Sequence, residues 1–110
     1  MNDSYLPDIL DSDGTEIPGI ADDELATEFR VVITSQKRKG LRLERIYWRL
    51  LKEIAERRGK KRSRLIASIL EKSEESSVSN ASRLRGVVTK TLEDERNQIA
   101  NSVSENSIIN

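Results

Sequence analysis

The apolar residues between positions 38 and 58 change their spacing without any turn signal between the two patterns. In RKGLRLE, at 38–44, charged and apolar side chains alternate, which predicts a strand with two unlike faces. Leu41 and Leu43 lie on one predicted face. The opposite face carries Arg38, Gly40 and Arg42.

A helical pattern follows directly and extends to about Arg58, where Gly59 suits a left-handed C-terminal cap. A second helix is predicted from about Lys61. The apolar positions of the first helix are Ile46, Tyr47, Leu50, Leu51, Ile54 and Ala55, with Trp48 beside them, and those of the second are Leu65, Ile66, Ile69 and Leu70.

Weaker patterns flank these elements. The β-branched run FRVVIT predicts a short strand with Phe29, Val31 and Ile33 on one face. A third helix is predicted after Asn80, a suitable N-cap, with Leu84, Val87, Val88 and Leu92 as its buried residues. We expect the last dozen residues to be frayed or disordered.

The 110 residues include no cysteine and no histidine. This composition excludes disulfides, thiolate nucleophiles, Cys/His zinc sites and histidine acid–base catalysis. Acidic side chains are scattered on helix exteriors without a paired arrangement, so we predict no enzyme activity, no metal and no cofactor. No segment has the pattern of a signal peptide or the length of a membrane span, so we expect a cytoplasmic protein without membrane association.

The formal net charge of zero hides a sorting of charge along the chain. Residues 1–28 hold nine acidic side chains and no basic one, whereas residues 30–72 hold fifteen basic and four acidic side chains, a net charge of +11. We predict an acidic disordered arm over 1–28, a folded domain over 29–92, and a helix end with a disordered tail over 93–110. The basic domain indicates a polyanion partner, although a solvated charged face would also explain such a run.

One strand and two short helices do not enclose a core, and a lone strand leaves both edges unpaired. We therefore predict a homodimer in which two copies pair strand to strand about a two-fold axis. The outward face of this ribbon would carry four arginines around a glycine that permits close approach of a partner. Such a ribbon fits the major groove of B-form DNA, where arginine reaches guanine O6 and N7. Single-stranded RNA is disfavoured because the strand at 38–44 displays no aromatic side chain.

Three segments in this order carry a family resemblance: FRVVITSQKRKGLRLERIYWRLLKEIAERRG, KKRSRLIASIL and SNASRLRGVVTKTL. Over residues 29–92 the chain resembles the ribbon-helix-helix superfamily of Arc-like and MetJ-like repressors, and within it a bacterial branch with a Thr-Ser-x-Arg-Leu-Glu strand and a tryptophan in the first helix. The resemblance implies a mainly α fold with a short β ribbon. The implied homodimer has an intermolecular two-stranded antiparallel sheet, a four-helix core and an extra C-terminal helix.

The resemblance also implies roles for individual residues. Arg38, Gly40 and Arg42 would read bases. Phosphates would bind at the N-terminus of the second helix, where free backbone N–H groups and the helix dipole favour anions. The phosphate-binding candidates there and on the neighbouring segments are Lys37, Lys39, Arg45, Lys60, Lys61, Arg62 and Ser63. The dimer core would contain Leu41, Leu43, Trp48, Leu51, Ile66 and Ile69.

Three departures from the pattern of that branch affect these roles. Arg45 replaces a common proline and Lys61 replaces a Ser or Thr cap, and each change adds a cation where a phosphate can lie. Lys39 and Gly40 replace the Thr-Ser pair, which removes two hydrogen-bonding side chains from the strand. The DNA sequence that the protein recognises therefore cannot be inferred from relatives.

We predict a sequence-specific double-stranded DNA-binding transcriptional regulator, a repressor of the bacterial nucleoid that inserts a dimeric ribbon into the major groove. Alternatives with the same fold are a plasmid partition or conjugative-transfer accessory protein and an antitoxin. A dimeric adaptor that meets an acidic protein and binds no DNA is the alternative of another class. We also expect the acidic arm to compete with DNA for the basic face, and the arm or the C-terminal tail is a candidate docking segment for a protein partner.

Overall fold

The computed structural model of the protein describes residues 5–6, 9–10, 16–35, 37–72 and 77–109. The strands are β1 (Tyr5–Leu6), β2 (Ile9–Leu10), β3 (Glu16–Ile17), β4 (Ile20–Ala21), β5 (Thr27–Ile33) and β6 (Arg38–Glu44). The helices are α1 (Asp22–Leu25), α2 (Arg45–Arg57), α3 (Arg62–Lys72) and α4 (Asn80–Ile109). The chain is mainly helical with a short antiparallel sheet, which confirms the predicted mainly α fold with a short β ribbon. The predicted intermolecular sheet and four-helix core of a homodimer stay predictions, because the sheet seen here forms within one chain.

Short elements occupy the described part of the predicted acidic arm. Strand β1 pairs with β4, and β2 pairs with β3, over two residues each. Helix α1 follows β4 directly, and β5 begins at Thr27, two residues before the predicted strand. The limits of the arm and of the C-terminal tail therefore stay predictions, while residues 16–28 have defined positions beside the helical part.

Strands β5 and β6 form an antiparallel hairpin within one chain, in register from Thr27 opposite Glu44 to Ile33 opposite Arg38. At the turn, the Thr34 N–H donates to the Lys37 carbonyl at 2.9 Å. The sequence predicts both strands but not their pairing, because the connecting SQK contains none of the Asn-Gly or Asp-Gly pairs that mark tight hairpins. One edge of β6 is thus covered by β5, whereas we predict from the sequence a lone strand with two open edges.

The inner face of the hairpin packs on α2, α3 and α4 in one hydrophobic core. The Trp48 Nε1–H donates to the Glu28 carbonyl at 2.8 Å, which ties α2 to β5. Of the side chains assigned to a dimer core, Ile69 is partly buried and the other five are buried within this single chain. The buried apolar side chains are Val32, Leu41, Leu43, Trp48, Leu51, Ile54, Ala55, Leu65, Ile66, Leu70, Leu84 and Val88.

Helix α4 closes the core beside the end of β6. The Arg85 guanidinium donates to both carboxylate oxygens of Glu44, at 2.9 and 3.2 Å. This ion pair is the main reason that the pKa of Glu44 lies below its ordinary value. Further along, Arg57 of α2 donates to Glu95 at 2.7 Å. These two contacts fix α4 against both the sheet and α2.

The ends of α4 differ from the sequence-based expectation. Its N-cap is Ser79, whose Oγ accepts a hydrogen bond from the Ser82 N–H at 3.2 Å, rather than Asn80. The helix continues to Ile109, since no glycine or proline follows Gly86 to interrupt it. None of the described helices is both long and apolar enough to cross a membrane.

Helix α2 ends in a Schellman motif at the predicted position. The Lys60 N–H donates to the Ala55 carbonyl at 2.9 Å, and the Gly59 N–H donates to the Glu56 carbonyl at 3.1 Å. Gly59 has a φ of 66°, in the left-handed region that is costly for residues with a Cβ. The turn at Gly59 thereby sets the direction in which Lys60 and Lys61 leave α2.

Replacing Gly59 with alanine should lower the free energy of unfolding by about 1 kcal/mol, because the backbone cost is not offset by any contact. No heavy atom lies within 4 Å of a Cβ built at Gly59 or at Gly86. Gly86→Ala, inside α4, is the matched control and should raise stability by about 0.5–1 kcal/mol. Urea unfolding followed by circular dichroism measures both, and shifts of the same sign would contradict the expectation.

Candidate nucleic-acid interface

The outward face of strand β6 carries the residues that the sequence assigns to base reading. Arg38, Gly40 and Arg42 are exposed, whereas Leu41 and Leu43, on either side of Arg42, retain 4% and 0% of their accessible surface. Because successive side chains of a strand point to opposite faces, burial of the two leucines directs the arginines away from the core. The structure thus brings the two predicted arginines together on one exposed surface.

Strand β5 adds an apolar row to the same face. Phe29, Val31 and Ile33 retain 54%, 46% and 69% of their accessible surface. The hairpin register places these three opposite Arg42, Gly40 and Arg38 in turn. An aromatic ring therefore lies beside the predicted base-reading residues, which the sequence of the 38–44 strand does not reveal by itself.

The ring of Phe29 lies across Gly40. A Cβ built on Gly40 would come within 2.6 Å of Cζ and 2.8 Å of Cε2 of Phe29, closer than real atoms pack. The Arg42 guanidinium carbon lies 5.6 Å from the centroid of the same ring, within cation–π range. Gly40, which we predict from the sequence to allow close approach of a partner, therefore makes room for Phe29 in this chain.

The second edge of β6 is open within the described part of the chain. At the two ends of the hairpin, the Arg45 N–H donates to the Ala26 carbonyl and the Thr34 N–H to the Lys37 carbonyl, both at 2.9 Å. Since bonding direction alternates along an antiparallel pair, the odd-numbered residues of β6 bond to β5. The N–H and C=O groups of Arg38, Gly40 and Arg42 point to the opposite edge, where the sheet has no further described strand.

The predicted phosphate site at the start of α3 is only partly available. Lys60, Lys61 and Ser63 are exposed, but Arg62 is partly buried and its Nη1 donates to the Trp48 carbonyl at 3.3 Å. Burial, and then the charge of Arg30, lowers the pKa of Arg62. Arg62 therefore has a packing role against α2, while its exposed neighbours remain free to meet solvent.

Arg30 is a cation near this site that sequence reasoning missed. Its guanidinium carbon lies 5.7 Å from the Trp48 ring centroid, and that of Arg62 lies 5.9 Å from the same ring. Two arginines from separate elements thus converge on one indole ring. The pairing of β5 with β6 brings Arg30 to the Trp48 ring, so this contact could not be predicted from the spacing of charges along the chain.

The three remaining phosphate candidates occupy different surroundings. Lys37 is exposed at the hairpin turn, whereas Lys39 is partly buried on the inner-face side of β6. Lys39 contributes to lowering the pKa of Glu71, after the larger effect of the Ser35 N–H, which donates to Glu71 at 2.8 Å. Arg45 is exposed at the start of α2, with its Nε 3.7 Å from a Glu28 carboxylate oxygen.

Acidic residues that precede β6 pair with arginines of α2. Glu24 of α1 accepts a hydrogen bond from Arg49 at 2.9 Å, beside the Glu28 contact with Arg45. Both pairs are exposed enough to exchange with solvent ions. Among the described residues, no group of three or more His, Cys, Asp or Glu side chains could hold a metal ion. The exposed cations of this surface can bind anions noncovalently.

Comparison with known proteins agrees with this architecture. No curated protein and no solved structure matches the chain. The model of the ribbon-helix-helix domain matches residues 28–92, which include the β5–β6 hairpin except Thr27, all of α2 and α3, and the first part of α4. This match covers more than half of the sequence and confirms the resemblance at the level of the family. The chain therefore belongs to the ribbon-helix-helix family.

Proposed function

We propose that this protein is a homodimeric, sequence-specific double-stranded DNA-binding transcriptional regulator, a repressor that presents Arg38 and Arg42 to guanine edges in the major groove. Ribbon-helix-helix domains are generally DNA-binding transcription regulators or antitoxins and are typically not enzymes. The observation that carries the proposal is the exposed position of both arginines on β6. The inner face of this strand is core, and no described strand pairs with its second edge.

In the proposed dimer, two copies pair through the open edges of β6. The result is a four-stranded sheet with the two β6 strands in the centre and a β5 strand on each side. Four strands span about 14 Å between the outer strand axes, more than the major-groove width of about 12 Å. The central β6 pair therefore enters the groove, and the β5 strands lie toward its rims.

Phosphate contacts on either side of the groove supply most of the affinity in this proposal. Lys60 and Lys61, just before α3, offer charge, and Ser63 in the first turn of α3 adds a backbone N–H group. Lys37 at the hairpin turn and Arg45 at the start of α2 add exposed cations. These contacts orient the sheet, and the outward arginines of β6 select the base sequence.

Arg42→Pro tests the dimer without disturbing the hairpin. The Arg42 N–H points to the open edge, so proline removes a bond between copies while all bonds to β5 remain. Arg42→Ala loses the same guanidinium but keeps the N–H, and it is the matched control. We expect dimers for the wild type and Arg42→Ala, and monomers for Arg42→Pro, by sedimentation velocity. A dimeric Arg42→Pro would place the dimer interface elsewhere, and a monomeric wild type would remove the dimer from the proposal.

Arg42→Ala also tests base reading. In the proposed dimer this variant loses two bidentate contacts, one from each copy, so the preference for a selected site over random duplex should fall by roughly 10²- to 10⁴-fold, with little change in random-duplex binding. Lys61→Ala should instead weaken binding to both duplexes equally. Wild-type affinity should fall by roughly 10³- to 10⁵-fold between 50 and 200 mM salt if six to ten phosphates are contacted. Fluorescence anisotropy measures each value, and an unchanged preference in Arg42→Ala would remove Arg42 from the reading face.

The same fold also serves the alternative roles, which differ in the location of the bound DNA. Sequencing of genomic fragments captured by the purified protein would show a promoter for a regulator, a promoter beside a toxin gene for an antitoxin, and a replication origin or an origin of transfer for a partition or transfer factor. Absence of binding to any duplex at low salt would favour a dimeric adaptor with an acidic protein partner. Location in the bacterial nucleoid follows only from the DNA-binding role.

We further propose that acidic residues before β6 compete with DNA phosphates for nearby cations. The contacts between Glu24 and Arg49 and between Glu28 and Arg45 support this role. Both arginines lie in the first turns of α2, directly after the predicted reading strand. Exchange of these carboxylates for phosphates would lower the affinity for every duplex, and weak sites would be lost first.

Glu24→Gln should strengthen binding to random duplex about two- to fivefold at 20 mM salt, in line with the strength of exposed ion pairs. The gain should disappear at high salt, where such charges are screened. Glu93→Gln is the control, because it removes the same charge from the Lys90 pair on α4, outside the proposed interface. Equal effects of the two variants would indicate a general effect of net charge in place of local competition.

A further inference from the structure

Phe29, Gly40 and Arg42 form one structural unit on the outward face of the hairpin. Phe29 is directly opposite Arg42 in the register, at a pair that does not exchange backbone hydrogen bonds between β5 and β6. Side chains at such pairs are closest together across a sheet. The ring reaches Arg42 on one side and covers Gly40 on the other.

The core does not explain the position of Phe29. The ring retains 54% of its accessible surface and faces away from α2, α3 and α4, while Val32 is the residue of β5 that packs into the core. Val31 and Ile33 share the exposed row. Phe29 differs from them in its contact with an arginine and with a glycine backbone.

The side chain of an exposed arginine is flexible before it contacts a base. This side chain populates many rotamers, and bidentate recognition of guanine requires the guanidinium plane in one orientation. A ring face at cation–π distance restricts these rotamers before DNA arrives, so less conformational freedom is lost on binding. The benefit is confined to contacts that need a defined guanidinium plane, because a phosphate accepts hydrogen bonds from many directions.

We propose that Phe29 is a positioning residue for Arg42, which it holds ready for bidentate contact with guanine, and that Gly40 exists at its position to seat the Phe29 ring. The proposal rests on the DNA-binding function proposed above and assigns specificity to a residue of β5 that the ribbon strand does not include. Any side chain at position 40 would displace the ring, because its Cβ would lie 2.6 Å from Cζ of Phe29.

The test uses 7-deazaguanine, which keeps guanine O6 but lacks the N7 acceptor. In a duplex selected by the full-length wild-type protein, each guanine is replaced in turn, and the loss of affinity is measured for the wild type and for Arg42→Ala. The guanine that Arg42 reads is the one whose replacement weakens binding of the wild type but not of Arg42→Ala. We expect the wild type to lose about tenfold in affinity at that guanine, as removal of half of a bidentate contact implies. Phe29→Ala retains Arg42, but its affinity should fall threefold or less when the same guanine is replaced.

Matched variants separate positioning from general damage. Ile33→Ala removes a more exposed apolar side chain from the same row, opposite Arg38, and should keep the tenfold effect. Phe29→Tyr keeps a ring face and should also keep it, whereas Phe29→Leu keeps only apolar bulk and should not. Random-duplex affinity and unfolding temperature should be close to wild type in all of them, since Phe29 is outside the core.

A double-mutant cycle tests the role of Gly40. Gly40→Ala alone should reduce the 7-deazaguanine effect in the same way as Phe29→Ala, because the added methyl displaces the ring. In the Phe29→Ala background, Gly40→Ala should have little further effect. Additive losses would mean that Gly40 acts directly on DNA and would overturn its assigned role.

The outcomes distinguish the two proposals. If the wild type is insensitive to 7-deazaguanine at every position, or prefers single strands of the same sequence, the proposed reading of duplex DNA fails. If the wild type is sensitive and Phe29→Ala is equally sensitive, base reading stands and the positioning role of Phe29 is wrong. A loss in Phe29→Ala that Phe29→Leu restores would assign the effect to apolar bulk and would also overturn the cation–π account.

Discussion

The two-residue period of strand β6 determines which side chains enter the core and which face outward. Leu41 and Leu43 are buried. A shift of the strand register by one residue would place Gly40 and Arg42 in the core instead. Burial of a guanidinium without a partner is far more costly than loss of a leucine contact. The same energetic preference that builds the core therefore places the arginines on the outward face, and no separate interaction is needed to keep them there.

Strand β5 and helix α4 enclose β6, α2 and α3 within a single chain. Strand β5 covers one edge of β6, and α4 covers the core beside its end through Leu84, Val88 and the Arg85–Glu44 ion pair. Trp48 connects these parts, since its ring is buried and its N–H donates to the backbone of β5. Among the described residues, the outward face and the second edge of β6 stay uncovered, and exposed cations are grouped at the start of α3.

Local patterns predicted the parts of the structure that depend on neighbouring residues in sequence. The alternation in β6, the cap at Gly59 and the buried faces of α2 and α3 follow from spacing alone. Features that depend on distant pairing did not follow: the hairpin register sets Phe29 beside Arg42 and brings Arg30 to Trp48. The polar last dozen residues favoured fraying or disorder, whereas α4 extends to Ile109 in a segment that contains no glycine or proline to interrupt it.

Burial of most of the core within one chain has a kinetic consequence. The β5–β6 hairpin joins residues close in sequence, and Leu41, Leu43 and Trp48 find their packing partners without a second copy. Folding can thus precede assembly, in contrast to dimers whose cores are shared between intertwined subunits. The rate at which a newly made chain becomes compact is then independent of its cellular abundance, and in the proposed dimer only the docking of two folded subunits would be a second-order process.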